Sequence, residues 1–501
     1  MDPAFELPDL RAVVPTVVPL SDRHLRAEYF DTPHLGLWAR GITFRHRTGE
    51  GAGAGAWTVK LPAGGTGPTL DRTELTWSGS RGEMPSGATA LLRGIVRHSP
   101  LRPIAELDTT RRRLALYDSA GTFFGELDDD VVAVVDSSGS RPAAGFRQLE
   151  LELAPGGGMS AVPVFRILGR AGAVPDNRAK LARALGLAPA GSKGPGAGRR
   201  RRSSAGDVVR ARITAGVDEL LDHDYRMRTD LADPPVRSIH QARVAARRLR
   251  SDLKMLAPLL DPTWVGPVRD ELRGLGEVLG KIRDADVLAD HLRADSGDPS
   301  VVALGRRELL SILEGRRRED CLELAAVLAG ERYLVLLDQL EAAARLPPFV
   351  PRPPARRGTG RAPSDVDRAA RVLPRMVRRR WRALRRTVQS AGPHPTDREL
   401  HRIRIRSKEL RYAAETSIPV VGKPARRLAA AAEQVQTVLG DHHDAVSAEA
   451  WLEAQALGGT PVVAYAAGRL AAEQARVQRK LRRRWRSAWR QLDEERLRRW
   501  F

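Results

Sequence analysis

Polar and apolar residues alternate with a period of two in short segments of residues 1–187, and glycine or proline separates the segments. This period places successive side chains on opposite faces of a β-strand, so each segment is predicted to be a strand. The segments are GITFRHR (41–47), AWTVKLP (56–62), LDRTELTW (70–77), RRRLALYD (111–118), FFGELDDDVVAVV (123–135) and FRQLELELA (146–154). Residues 164–187 have a more helical pattern. We therefore predict an α+β domain over residues 1–187.

From residue 207 to residue 501 the apolar positions recur with the period of an α-helix, in long segments of alanine, leucine and arginine. Residues 347–364, PPFVPRPPARRGTGRAPS, interrupt this pattern with a density of proline that excludes helix. They separate two halves, residues 207–346 and 365–501. Residues 188–206 contain four consecutive arginines among glycine, proline and serine, which predicts a flexible basic linker.

Four residues of the first half recur in the second half at the same spacing. His240, Arg243, Arg247 and Arg250 are followed 161 residues later by His401, Arg404, Lys408 and Arg411. A second motif repeats at an offset of 160 residues, as LGKIRDADV (279–287) and LGDHHDAV (439–446). Two motifs in the same order indicate duplication of one helical unit. The prediction is an all-α domain of two pseudo-symmetric bundles, each of about four helices.

Each set of four residues falls within an arc of about 80° on a helix of 3.6 residues per turn, and we name these sets the first and the second stripe. Like charges along one helical face destabilise the helix, so an external anion would relieve both stripes. Arginine forks and a compact lysine charge suit phosphate oxygens. The alternative is a solvated charged face paired with local carboxylates. Recurrence of the pattern favours a shared function in binding a repeating polyanion.

The net charge of +22 is concentrated in the helical region. Residues 207–501 carry 56 Lys and Arg against 40 Asp and Glu, whereas residues 1–187 carry 22 against 21. This distribution places an anionic partner on the helical region. No apolar run is long enough to cross a membrane, no secretory signal pattern is visible, and the single cysteine, Cys321, excludes an internal disulfide. We therefore predict a cytoplasmic protein without a membrane partner.

The two stripes and the repeated Leu-Gly-x-x-x-Asp motif resemble the CHAD family, the conserved histidine α-helical domains, over residues 207–501. The resemblance implies two pseudo-symmetric helical bundles that bind inorganic polyphosphate, without a cofactor, and associate with polyphosphate granules. All eight stripe residues would contact phosphate: His240, Arg243, Arg247, Arg250, His401, Arg404, Lys408 and Arg411.

Residues 1–187 resemble a CYTH domain, the triphosphate tunnel fold, in the pieces YFDTPHLGLWARGITFRHRTG, WTVKLP, RTEL, RRRLALYD, LELEL and AKLARAL. The resemblance implies an antiparallel β tunnel whose cations hold a triphosphate and whose carboxylates hold Mg²⁺ or Mn²⁺. The cations would be Arg45, Arg47, Lys60, Arg72, Arg111 (or Arg113) and Lys180. The carboxylates would be Glu74, Glu150 and Glu152.

One departure from the CYTH pattern affects the expected activity. The Glu-x-Glu-x-Lys strand that precedes the segment equivalent to FELPDL (5–10) has no counterpart in the sequence, so the tunnel is expected to lack its first strand. Metal-assisted hydrolysis should then be very slow. The leading hypothesis is a polyphosphate-binding protein whose CYTH-like module binds phosphate chain ends or has lost its activity, and a triphosphatase is expected only if the missing strand lies upstream. The alternatives are a metal-dependent triphosphatase acting on tripolyphosphate and a nucleic-acid-binding protein; in the leading hypothesis nucleic acid is only a competing polyanion.

Overall fold

A computed structural model describes residues 5–50, 53, 55–62, 72–135, 142–154, 161–176, 178–187, 204–293, 300–350 and 369–501. The chain divides into two compact units, Met1–Gly194 and Pro195–Phe501. Most of the predicted basic linker and most of the proline-rich connector lie outside the described residues. At the described ends of these segments, Ser204 caps the first helix of the second unit, and Phe349 forms an isolated β-bridge with Leu260.

The first unit is built on one antiparallel sheet of seven strands in the order β4-β3-β2-β1-β5-β6-β7. Its strands are β1 (Thr16–Asp31), β2 (Thr43–Thr48), β3 (Ala56–Pro62), β4 (Arg72–Ser78), β5 (Arg102–Tyr117), β6 (Phe123–Val135) and β7 (Pro142–Leu153). Its helices are α1 (Ser86–Val96), α2 (Val162–Arg170) and α3 (Lys180–Ala184). The predicted α+β class is confirmed, and each predicted strand overlaps one of β2 to β7.

The central strand β1 was not among the predicted strands. It pairs with both β2 and β5, and its register to β5 shifts between Leu20 and Arg23. Pro19 and this irregularity interrupt the alternation of polar and apolar residues. The alternation of polar and apolar residues therefore does not predict β1, although this strand joins the two halves of the sheet.

Helices α2 and α3 cover parts of the sheet with short apolar contacts. Val164 and Leu168 of α2 pack in a cluster with Leu116 and Leu127. Leu181 of α3 packs in a separate cluster that includes Leu107 and Val132. This second contact fixes the start of α3, and hence Lys180, beside strands β6 and β7.

The second unit consists of nine helices within the described residues. They are α4 (Ala205–Met227), α5 (Val236–Leu256), α6 (Pro262–Arg293), α7 (Ser300–Ala329), α8 (Glu331–Arg345), α9 (Ala369–Ala391), α10 (Asp397–Val421), α11 (Lys423–Gly458) and α12 (Pro461–Leu492). The series α4 to α7 has the same neighbour-to-neighbour packing as the series α9 to α12, and α8 is an additional helix in the first half. No helix in this part of the chain is long and apolar enough to span a membrane.

The two halves share one hydrophobic core rather than enclosing two separate cores. Leu253 of α5 and Leu410 of α10 belong to the same buried cluster. The buried carboxylate of Asp252 joins the halves as well, because it accepts hydrogen bonds from Arg212 Nη2 of α4 at 2.6 Å and from Thr416 Oγ1 of α10 at 3.0 Å. Pairing and burial together tie α5 and α10 into a fixed relative position.

The long helices α6, α7, α11 and α12 extend beyond this core and form a second apolar cluster. Its members include Leu288, Leu309, Leu452 and Leu470. At the crossing of α7 and α12, a Cβ atom added to Gly305 would lie 2.5 Å from the carbonyl oxygen of Val462. The absence of a side chain at position 305 is therefore what allows these two helices to approach.

We predict that Gly305→Ala destabilises the second unit although alanine favours helix more than glycine. The added methyl group must push α7 away from α12, which should lower the free energy of unfolding by about 1–3 kcal/mol. Gly315→Ala in the same helix is the matched control, because an added Cβ there meets no atom within 4 Å. The control should gain roughly 0.5–1 kcal/mol. Urea denaturation of both variants measures the difference, and equal gains would contradict the close contact at Gly305.

Candidate functional site

The two predicted stripes face a single cavity of about 970 Å³ in the second unit. Helix α5 contributes the first stripe and α10 the second, while residues of α6 and α11 form further walls. Six of the eight predicted residues line the cavity: His240, Arg243, Arg247, Arg250, Arg404 and Lys408. Two charged faces separated by 161 residues of sequence therefore converge on one space.

The Leu-Gly-x-x-x-Asp motifs hold the stripes in place, as a comparison of the two halves shows. An added Cβ on Gly280 would lie 3.5 Å from Arg243 Nη2, and one on Gly440 would lie 3.6 Å from Arg404 Nε. Arg243 Nη1 also donates to Asp284 Oδ1 at 2.8 Å. Each arginine thus lies against a glycine of the neighbouring helix, and the duplication inferred from the sequence is repeated in these contacts.

Arg411 is not a lining residue of the cavity, although its counterpart Arg250 is one. Arg411 Nη1 donates to Glu433 Oε1 at 2.6 Å, and Arg411 Nε lies 3.6 Å from Glu415 Oε1. In the first half, Arg273 stands at the position that corresponds to Glu433, and Lys254 stands at the position that corresponds to Glu415. The glutamates therefore hold Arg411 in ion pairs that its counterpart cannot make.

His401 is also absent from the lining and reaches the cavity only through a neighbour. Its ring lies 4.3 Å, centroid to centroid, from the ring of His443, which does line the cavity. On the cavity wall beside His401 lies His443 of α11. Burial and the nearby cations Arg404 and His401 lower the pKa of His443 to about 4.

Four lining cations, Arg247, Arg250, Arg404 and Lys408, form no ion pair with a carboxylate in the described part of the chain. The buried Nε atoms of Arg247 and Arg404 also lack a hydrogen-bond acceptor there. A buried donor without an acceptor destabilises the folded protein. An anion in the cavity would supply the acceptors that these donors lack.

Burial and repulsion between the cations of the cavity lower the pKa values of some of its side chains. Burial, together with the charges of Arg404 and Arg247, lowers the pKa of Lys408 to about 6. Burial likewise lowers the pKa of His240, and neighbouring arginines add to the effect. The site in its free state is therefore a set of fixed arginine charges around groups that are neutral at pH 7.

The tryptophans of the basic helices α9 and α12 are core residues. Trp381 is buried and its ring stacks parallel on Trp489 at a centroid distance of 5.6 Å. Trp485 is buried in the same core. By contrast, Trp451 lines the cavity and was missed in the sequence, although it lies seven residues after Asp444 and so on the same helical face.

In the first unit, two of the predicted cations, Arg111 and Lys180, meet the predicted carboxylate Glu150. Arg111 Nη2 lies 3.3 Å from Glu150 Oε2 and also donates to Asp130 Oδ2 at 2.9 Å. Lys180 Nζ is 2.7 Å from Glu150 Oε2. Arg113, the other candidate for this position, forms a bidentate pair with Glu126.

The carboxylates form a cluster that differs from the predicted set. Oxygen atoms of Asp128, Glu150 and Glu152 lie within 4.8 Å of one another, whereas Glu74 pairs with Lys60 at 2.5 Å. Asp128 Oδ1 is buried without a hydrogen-bond partner among the described residues, whereas Asp128 Oδ2 pairs with Arg111 Nη1. Burial, together with the hydrogen bond and the charge of Glu126, raises the pKa of Asp128 to about 7, although the charge of Arg111 opposes this effect. Three oxygen donors with one unpaired buried atom fit a hard divalent cation such as Mg²⁺ or Mn²⁺.

The remaining predicted cations lie on β2 and β4. Arg45 is buried and donates from Nη1 to the hydroxyl of Tyr29 at 3.3 Å, while Arg47 pairs with Glu50. Burial lowers the pKa of Arg72 on β4, an effect that Glu74 and, across the sheet, Glu150 on β7 oppose. The charges on β4 and β7 therefore act on one another although these strands are the two edges of the sheet.

Comparison with known proteins identifies the family of the helical unit. The CHAD domain family matches residues 211–453. A protein of Mycobacterium tuberculosis is 34% identical over 522 residues, which cover 99% of this chain and 94% of that protein. Among solved structures, PptA from Streptomyces chartreusis is 21% identical, with a TM-score of 0.46 over 57% of this chain and 100% of that chain. The CHAD domain from the plant Ricinus communis is 23% identical, with a TM-score of 0.45 over 58% of this chain and 92% of that chain. Residues 211–453 of the chain therefore form a CHAD domain, and the whole chain belongs to one family with the mycobacterial protein.

Proposed function

We propose that the second unit binds inorganic polyphosphate in the cavity between the two stripes. The observation that carries the proposal is the convergence of Arg247, Arg250, Arg404 and Lys408 on one space without carboxylate partners among the described residues. A bound polyanion would supply the missing acceptors and relieve the repulsion between the stripes.

The extent of the charged lining favours a polymer over a single phosphate. The first stripe spans ten residues from His240 to Arg250, which is about 15 Å along a helix. One phosphate group contacts only a small part of such a stripe, whereas a chain of phosphates can contact its full length. A protein with this property would collect on polyphosphate granules inside the cell.

The observed positions of the tryptophans make nucleic acid a weaker candidate for this surface. Stacking of successive bases requires several accessible aromatic rings. Trp381 and Trp485 are buried in the core and cannot supply them. We therefore keep nucleic acid only as a competing polyanion.

Removal of two unpaired cations should weaken polyphosphate binding selectively. For the double variant Arg247→Gln/Lys408→Met we expect a loss of roughly 100-fold in affinity, because two charge-assisted contacts are removed. The slope of log affinity against log salt should also fall by about 2. The matched control is Arg402→Gln, a variant of an exposed arginine on α10 outside the cavity. Titration with long-chain polyphosphate at several salt concentrations tests this, and unchanged binding by the double variant would refute the proposal.

The single variant Lys408→Met should bind more weakly and yet be more stable than the wild type. The pKa of Lys408 is depressed in the folded chain, so unfolding takes up a proton between pH 6 and pH 10 and the lysine destabilises the fold at pH 7. Its removal should raise the free energy of unfolding by about 1–4 kcal/mol. Denaturation at pH 7 measures the gain, and a loss of stability would show that Lys408 is held by favourable contacts.

Polyphosphate binding should take up a proton at Lys408 above pH 6. Bound phosphate favours the charged amine, so its pKa rises from about 6 toward the value of free lysine. Affinity should therefore fall as pH rises between pH 7 and pH 9, by at most about tenfold per pH unit. Lys408→Arg is the control because arginine stays charged and should flatten this dependence. Calorimetry in buffers of different ionisation enthalpy counts the protons, and equal uptake by both proteins would exclude Lys408 as the source.

A second candidate function belongs to the first unit, where the cluster of Asp128, Glu150 and Glu152 favours a metal-dependent triphosphatase. These carboxylates would hold Mg²⁺ or Mn²⁺, and the metal would neutralise charge on a triphosphate. Arg45 and Arg47 have buried Nε atoms without acceptors in the described part of the chain, so they are available to phosphate oxygens.

We expect Mn²⁺ to raise the melting temperature of the first unit and to support slow phosphate release from tripolyphosphate. Asp128→Asn should abolish both effects because it removes the negative charge of the side chain and replaces one of its two oxygen atoms by an NH2 group that cannot bind a metal. Glu106→Gln, a variant of a carboxylate that pairs with Arg26 elsewhere on the sheet, should keep both. Thermal melting and a phosphate assay with excess metal test this pair. Retention of the Mn²⁺ shift by Asp128→Asn would show that the metal binds elsewhere.

A further inference from the structure

We propose that the cavity also accepts a phosphate chain that ends in a nucleobase, such as a nucleoside triphosphate, with the base placed against Trp451. The inference rests on the proposed phosphate binding by the stripes. The inference concerns a further class of ligand, one that carries an aromatic group at the end of its phosphate chain. The basic residues alone would not distinguish such a ligand from free polyphosphate.

The lining of the cavity is not uniformly basic. Trp451 lines it together with Leu288, Leu313 and Ala448, all of which belong to or pack against the second apolar cluster. These four side chains offer no charge to a phosphate, although Arg316 and His291 follow Leu313 and Leu288 in the lining. An inorganic chain gains nothing from an indole ring, whereas a planar base gains stacking and burial of apolar surface.

The spacing along α11 matches a ligand with phosphates at one end and a ring at the other. Gly440 lies against Arg404, and Trp451 follows eleven residues later, about 16 Å along the helix. Asp444 is seven residues before Trp451, about 10 Å away. An extended nucleoside triphosphate spans a comparable length from its base to its terminal phosphate.

The pseudo-symmetry of the two halves is broken at this position. Trp451 corresponds to His291 at the offset of 160 residues, and both residues line the cavity. A homopolymer would be served equally by both halves, since the arginines on α5 and α10 are repeated. Trp451 is the one indole among the described lining residues, and a single large apolar ring suits a ligand with one organic end.

Comparison of adenosine triphosphate with tripolyphosphate at fixed ionic strength tests the inference. The two ligands share a chain of three phosphates and differ in the nucleoside. We expect Trp451→Leu to weaken adenosine triphosphate about tenfold and to leave tripolyphosphate unchanged, because one stacking contact is lost. The matched control is Tyr465→Leu on α12, which replaces an aromatic residue that is 53% exposed and outside the cavity lining.

Trp451→Phe distinguishes stacking from a general effect on packing. Phenylalanine keeps an aromatic face, so this variant should retain more of the preference for adenosine triphosphate than the leucine variant does. Equal affinities of Trp451→Leu and wild type for adenosine triphosphate would overturn the inference, as would a parallel loss for both ligands. If wild type binds long-chain polyphosphate but the nucleoside adds nothing, only this inference fails. If wild type binds no phosphate chain, the proposed function fails with it.

Discussion

Repulsion between cations that face each other across a narrow space is the constraint on which the second unit depends. Burial and the charges of Arg247 and Arg243 lower the pKa of Arg404, although Asp444 opposes this effect. Burial and the charges of Arg404 and Arg247 lower the pKa of Lys408. The fold tolerates this because the stripes pack against glycines of α6 and α11 and their helices are held by one large core. The site is therefore organised in advance for an anion, and its stability is supplied by apolar packing elsewhere.

The two units differ in how far internal carboxylates neutralise their cations. In the first unit Arg111 and Lys180 are already neutralised by Asp130 and Glu150 on adjacent strands. In the second unit Asp284 reaches one stripe arginine, and the counterpart contact between Asp444 and Arg404 is an electrostatic influence without a close ion pair. A ligand entering the first unit must compete with internal carboxylates, whereas one entering the second meets cations with few competitors.

The stripes could be predicted from the sequence because helical geometry alone aligns residues at offsets of 0, 3, 7 and 10. What the sequence could not show is which neighbouring helix meets each position. Arg411 pairs with Glu415 one turn later on α10 and with Glu433 on α11, and only the packing of α10 on α11 creates the second contact. Asp128 was missed because it stands within a run of three aspartates, where alternation assigns no face until the register with β5 and β7 is known.

Because the two halves share one core, a ligand in the cavity affects the stability of the helical unit as well as binding. Its walls come from both halves, and Asp252 connects Arg212 with Thr416 across them, so an anion held there opposes separation of the whole helical unit. By mass action, any occupant that prefers the native chain shifts the folding equilibrium toward it. If the proposed function holds, phosphate polymer would also protect the chain from proteases that act on its unfolded state.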